Sequence, residues 1–176
     1  MKAFGLSIYF LLLGAGLNAG AAPVELAVAR APAHIELRDQ FNVLRTLSFP
    51  ATNIILITIA DWKGSGEVSG WVAPVKRRFG GGIDIRGIAD VSVVPGALRG
   101  LVKGRFRKAQ TYPVMMDWTG HTVKEFHFVP GKANILVLDR QGRIVYRTGG
   151  KADAQAIQDL FRVLDQAIET GSQTKK

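Results

Sequence analysis

Blocks of apolar and polar residues along the chain predict its elements. Ile54-Ile55-Leu56-Ile57-Thr58-Ile59-Ala60 is an unbroken, mostly β-branched run, the pattern of a strand buried on both faces. After Asp61-Trp62-Lys63-Gly64-Ser65-Gly66, the residues Val68, Trp71, Val72, Val75 and Phe79 recur at helical spacing and predict an amphipathic helix. Ser65 is expected to cap its start, and Lys76, Arg77 and Arg78 suit the negative end of its dipole. Gly80-Gly81-Gly82 is expected to end it. Pro74 lies inside and is expected to kink it, because the ring removes one backbone hydrogen bond.

Upstream, Ile35-Glu36-Leu37 and Val43 to Leu47 flank the turn Asp39-Gln40-Phe41-Asn42 and predict a small hairpin. Downstream, Ile83 to Val91 reads as a buried strand. Val94-Pro95 opens a helix with Leu98, Leu101, Val102 and Phe106 on its apolar side. Pro113 to Trp118 is a further strand, and His121 to Pro130 reads as a short helix or an irregular connection. Asn134–Leu138 and Ile144–Arg147 flank Asp139-Arg140-Gln141-Gly142-Arg143, a hairpin with glycine at the position that needs a positive φ. The last helix is capped by Asp153, buries Ile157, Leu160, Phe161, Leu164 and Ile168, and is expected to end at Gly171. The order is hairpin, βα, βα, β, hairpin, α. Such an order predicts an α/β domain with a mixed central sheet and helices on both faces.

The first residues read differently. Lys2, the apolar stretch Phe4 to Leu17 and Ala19-Gly20-Ala21 form the pattern of a secretory signal, with cleavage expected after Ala21. Residues 22–34 read as a flexible leader, 35–171 as one domain and 172–176 as a disordered tail. The chain of 176 residues contains no cysteine, which excludes a disulfide framework, a thiolate metal site and a thiol nucleophile. Its formal charge of +9 favours acidic partners or anionic headgroups. The export pattern argues against nucleic acid. So does the lack of aromatics interleaved among the basic residues.

Other chemistry finds little support in the spacing. Ser65 and Ser69 lie near a helix start but in no nucleophile-elbow pattern, and His34, His121 and His127 are remote in sequence. Met115 and Met116 are adjacent on a strand and point to opposite faces, so with His127 they cannot close on one copper ion without distortion, and core packing is the more frequent use of such residues. Asp61 with Asp117, or Asp90 with Asp139, could be paired carboxylates, but aspartates at strand ends more often cap loops.

Three pieces of the chain resemble the thioredoxin-like superfamily, in its exported branch of thiol–disulfide oxidoreductases and redoxins. They are Ile57-Thr58-Ile59-Ala60-Asp61-Trp62, Tyr112-Pro113-Val114-Met115-Met116-Asp117, and Ile135 to Val145 followed by Gly149-Gly150. The resemblance spans roughly Leu37 to Ile168 and implies a thioredoxin-like three-layer fold. The family's activity requires Cys-x-x-Cys at a helix start, where the dipole lowers the thiol pKa. One register places those four positions on Lys63, Gly64, Ser65 and Gly66, and another on Gly66, Glu67, Val68 and Ser69. Neither supplies a cysteine. The family's cis-proline falls on Ala133, since Pro130 is three residues too early.

The resemblance therefore implies the fold without the activity: no catalytic residue, no cofactor and no metal. It implies a partner-binding groove formed by Asp61, Trp62, Lys63, Gly64, Ser65 and Ala133, with Trp62 at its border; a tryptophan half-buried over the loop is the competing reading. Arg99, Lys103, Arg105, Arg107 and Lys108 form a basic surface. The expected partner is an envelope protein or an extended peptide, in the periplasm or outside the cell. A degenerate oxidoreductase with partner-dependent redox chemistry, and a protein held to an anionic membrane surface, are the alternatives.

Overall fold

The computed structural model describes residues 29–173. The predicted signal, its cleavage after Ala21 and residues 174–176 lie outside these. The elements are β1 (His34–Arg38), β2 (Leu44–Ser48), β3 (Ile54–Ala60), α1 (Val68–Phe79), β4 (Ile83–Asp90), α2 (Arg99–Ala109), β5 (Val114–Asp117), α3 (His121–Glu125), β6 (Asn134–Leu138), β7 (Ile144–Gly149) and α4 (Ala154–Gln173). β1 and β2 form an antiparallel hairpin of their own. The central sheet has the order β5-β4-β3-β6-β7.

β3 pairs parallel with β4 and antiparallel with β6, which is why all seven of its residues are buried. The β3 to β4 and β4 to β5 crossovers step the same way across the sheet, so right-handed connections place α1 and α2 on one face. There Trp71 and Val75 of α1 and Leu160 and Leu164 of α4 pack on Ile54, Leu56, Ile135 and Val137. Farther along this face, Val102 and Phe106 of α2 meet Ala89, Val91, Val114 and Met116. The opposite face carries Ile55, Ile57, Ile59, Ile88, Met115, Leu136 and Leu138. It is covered by Val123 and Phe126 at α3 and by Ile35 and Leu47 of the hairpin. This is the thioredoxin-like α/β fold, a mixed sheet with helices on both faces.

Four local expectations change. Ser65 does not cap α1: it begins a 3-10 turn, Ser65–Glu67, and its hydroxyl donates to the Trp62 carbonyl at 2.9 Å. The last turn before α1 is instead organised by Asp61, which accepts the Gly64 N–H at 2.9 Å. In α2 no residue is fully buried, and Leu98 and Leu101 are exposed, because Arg99 and Lys103 take the flank over the Trp118 ring. Part of the expected leader is tied down: Ala31 N–H donates to the Gly142 carbonyl and Ile144 N–H to that of Ala29, both at 2.8 Å. Elsewhere Asp153 does cap α4, accepting the Ala156 N–H at 2.8 Å, and α1 runs through Pro74. α4 continues past Gly171 to Gln173. Among the described residues no helix is long and apolar enough to cross a membrane.

Candidate functional site

The loops that follow parallel strands gather at the strands' carboxyl ends, where α/β proteins place their sites. Here the ends of β3, β4 and β5 carry Asp61, Asp90 and Asp117. Ala60 lies beside Ala89 and Asp90 beside Asp117, so the three aspartates stand in one lateral row. Each carboxylate turns into its own loop. Asp90 accepts from the Ser92 N–H at 3.1 Å and hydroxyl at 2.7 Å. Asp117, fully buried, accepts from Thr119 N–H and hydroxyl, Gly120 N–H and Val123 N–H at 2.9–3.1 Å. Asp139 ends antiparallel β6 at the other end of the sheet and closes the β6–β7 turn by accepting from Gln141 and Arg143. The carboxylates hold loops; they do not form an acid–base pair.

Asp61 differs by reaching across to a second segment. Its other oxygen accepts the Gly131 N–H at 2.7 Å, and Glu67 accepts the Ala133 N–H at 2.9 Å. Two carboxylates of the β3–α1 turn thus clasp the segment that enters β6. Between them Gly64 is pressed on the same segment: a Cβ built there would stand 2.2 Å from the Lys132 carbonyl carbon and 2.7 Å from the Ala133 nitrogen. The positions of the turn that meet residues 132–133 are therefore 64 and 67, three apart and matching the ends of neither expected register. Ala133 is fully buried and follows a trans peptide; among the described residues the one cis bond is Phe49–Pro50. Where a proline would present no N–H, alanine presents one, and Glu67 receives it. Sequence reading placed Glu67 only as an interior position of the second register and gave it no role.

Of the expected groove residues, Asp61, Gly64 and Ala133 thus form a closed floor, with the Ser65 hydroxyl committed to the Trp62 carbonyl. Trp62 and Lys63 are not part of it. The Trp62 side chain is 80 % exposed, far from a tryptophan half-buried over the loop, and Lys63 beside it is exposed. The floor is braced from behind by the Trp71 indole, which donates to the Gly150 carbonyl at 2.7 Å, while Gly150 N–H donates to the Ala133 carbonyl at 2.8 Å. The arrangement leaves an exposed indole and an exposed ammonium side by side next to the closed floor.

The structure divides the expected basic surface. Arg99 and Lys103 lie over the Trp118 ring at 5.1 and 6.0 Å from its centroid, and the Lys103 ammonium also donates to the Asn42 side chain at 3.2 Å. Arg107 folds back on the Lys103 carbonyl. Arg105 and Lys108 extend into solvent. A separate cleft of about 110 Å³ lies at the amino end of β5, near Val72, Ile85, Tyr112 and Met115. Its two arginines are already paired, Arg45 with Asp39 and Arg86 with Asp84.

No family model and no curated protein matches the chain. Solved structures do. The chain is similar to a putative thiol:disulfide interchange protein DsbE from Chlorobium tepidum, at 16 % identity and TM-score 0.59, covering 79 % of this chain and 95 % of that one. It is similar to StoA from Bacillus subtilis, at 13 % identity and TM-score 0.58, covering 75 % and 98 %. A pneumococcal exposed lipoprotein thioredoxin, Etrx1 from Streptococcus pneumoniae, matches at 16 % identity and TM-score 0.57, covering 74 % and 98 %. At such identities the likeness is one of fold. The class defined is a thioredoxin-like fold that carries no Cys-x-x-Cys.

Proposed function

We propose that this chain is a non-catalytic binding or accessory protein of the cell envelope, which engages a partner protein or an extended peptide segment through the rim of the closed groove. The observation that carries the reading is the contrast at the β3–α1 turn. Its interior is sealed by Gly64 against Lys132–Ala133, while the Trp62 side chain beside it is 80 % exposed. A large exposed indole on a rigid base is the kind of anchor around which protein interfaces concentrate their energy. Export is supported by the signal-like pattern at the start of the chain and by the exposed lipoprotein among its structural neighbours.

The test is a pull-down from cell-envelope extract, comparing the wild-type chain with the Trp62→Ala, Lys63→Ala double variant, with partners identified by mass spectrometry. A partner held by the wild type and lost in the double variant supports the rim. A partner held equally by both places binding elsewhere and overturns it. An insulin-reduction assay on the chain together with a captured partner should run no faster than the partner alone; acceleration by the chain would replace binding with a partner-dependent redox role.

A further inference from the structure

Between Val91 and Met116 the sequence has five lysines and arginines and no aspartate or glutamate. The structure shows how α2 distributes them. Val102 and Phe106 face the sheet, and Arg99 and Lys103 occupy the neighbouring flank over Trp118. Leu98 and Leu101 are thereby turned outward, 47 % and 57 % exposed, and Val93 in the preceding loop is 87 % exposed. Leu98, which ends the 3-10 turn leading into α2, and Leu101, Arg105 and Lys108 of α2 follow one another at intervals of three, four and three, so they form one stripe, apolar at its start and cationic at its end. Arg105 and Lys108 are both exposed.

We infer that this stripe, with Val93, is a docking face for an anionic phospholipid bilayer. The charge is of one sign, as an anionic surface requires, and the leucines and valine supply short apolar wedges that can enter the boundary between headgroups and acyl chains. A soluble polyanion would use the cations and leave the leucines in water. An interfacial helix uses both, and so the bilayer fits better. The inference is independent of the Trp62 rim, which belongs to a different loop.

The absence of cysteine allows a direct test, because a single introduced thiol can be labelled uniquely. The full chain carrying Leu101→Cys with an environment-sensitive fluorophore is mixed with equimolar phosphatidylglycerol–phosphatidylethanolamine vesicles or with phosphatidylcholine vesicles. A Gln158→Cys label on exposed α4 serves as the reference position. The expected result is a blue shift at position 101, none at 158, and none with phosphatidylcholine, the shift being lost as salt is raised. Arg105→Gln with Lys108→Gln should weaken the response by roughly 30-fold, with the far-ultraviolet circular dichroism unchanged. An unshifted label at 101 on vesicles that nonetheless pellet the chain would overturn the inference by placing membrane contact elsewhere. A response to double-stranded DNA or heparin but not to vesicles would overturn it in favour of a polyanion.

Discussion

Gly64 stands against the Lys132 carbonyl so closely that no side chain fits between them: an added Cβ would lie 2.2 Å from the carbonyl carbon and 2.4 Å from its oxygen. The backbone at Gly64 is ordinary, with φ −79°, so space and not conformational freedom makes glycine necessary. Gly64→Ala is expected to destabilise the fold by about 2–3 kcal/mol, the cost of overpacking against backbone that must shift. Gly66, two residues on, has nothing within 4 Å of an added Cβ, and Gly66→Ala should change stability by less than about 0.5 kcal/mol. Urea denaturation of the two variants checks the contrast. Equal effects would mean that the turn is not closed on residues 132–133.

The same closure makes Glu67 a structural residue. Its carboxylate receives the N–H of Ala133, a residue with no solvent access. Glu67→Ala leaves that donor unpaired and should cost about 1–3 kcal/mol, whereas Glu67→Gln keeps an acceptor and should retain most of the stability. Amide hydrogen exchange reads the bond itself. The Ala133 amide should exchange slowly in the wild type and faster in Glu67→Ala; unchanged exchange would show that the clasp is not made in solution.

These residues explain which parts of the molecule the sequence could reveal. β3 was legible because seven consecutive apolar or β-branched residues have one physical use, a strand covered on both sides. α1 and α4 were legible because their stripes meet a core. α2 misled, because its apolar residues compete for one flank with Arg99 and Lys103, and the Trp118 ring that holds those two cations is 15 or more positions away along the chain. The closed groove was legible only in outline. Asp61, Gly64 and Ala133 could be placed by resemblance, but the clasp joins residues separated by 66 and 70 positions, and no local pattern encodes such a pair.

Asp39 gives the fold a sensitivity to acid. It has no solvent access and accepts from Phe41 N–H at 2.8 Å, Val43 N–H at 2.9 Å and the Arg45 side chain at 2.8 Å. Burial by itself pushes the carboxyl pKa up, but Arg45 and the two N–H groups outweigh it and hold the group below its ordinary value. A pKa lowered by folding means that the unfolded chain takes up the proton first as pH falls. The stabilisation from Asp39 is therefore complete above the unfolded carboxylate's range and is lost as pH falls through the folded value. Asp39→Asn should cost about 2 kcal/mol at neutral pH. In urea melts, the gap between wild type and variant should narrow steadily with acidification; a gap that widens would contradict the assignment.

The tryptophans allow rim and frame to be separated by one spectroscopic experiment. Trp71 is 1 % exposed and ties α1 to the loop after β7 through its 2.7 Å bond to the Gly150 carbonyl, whereas Trp62 is 80 % exposed. Trp71→Phe removes the donor and part of a tightly packed ring, so a loss of about 1–3 kcal/mol is expected. Trp62→Ala removes a side chain that supports little around it and should stay within about 0.5 kcal/mol of the wild type. Emission separates them independently. Loss of Trp62 should shift the remaining fluorescence, from buried Trp71 and half-buried Trp118, to the blue and reduce the quenching by iodide, while loss of Trp71 should leave a redder and more quenchable spectrum. Since Trp62 is the residue assigned to partner contact and Trp71 the one assigned to support, a Trp62→Ala variant that unfolds would dissolve the distinction on which the rim proposal depends.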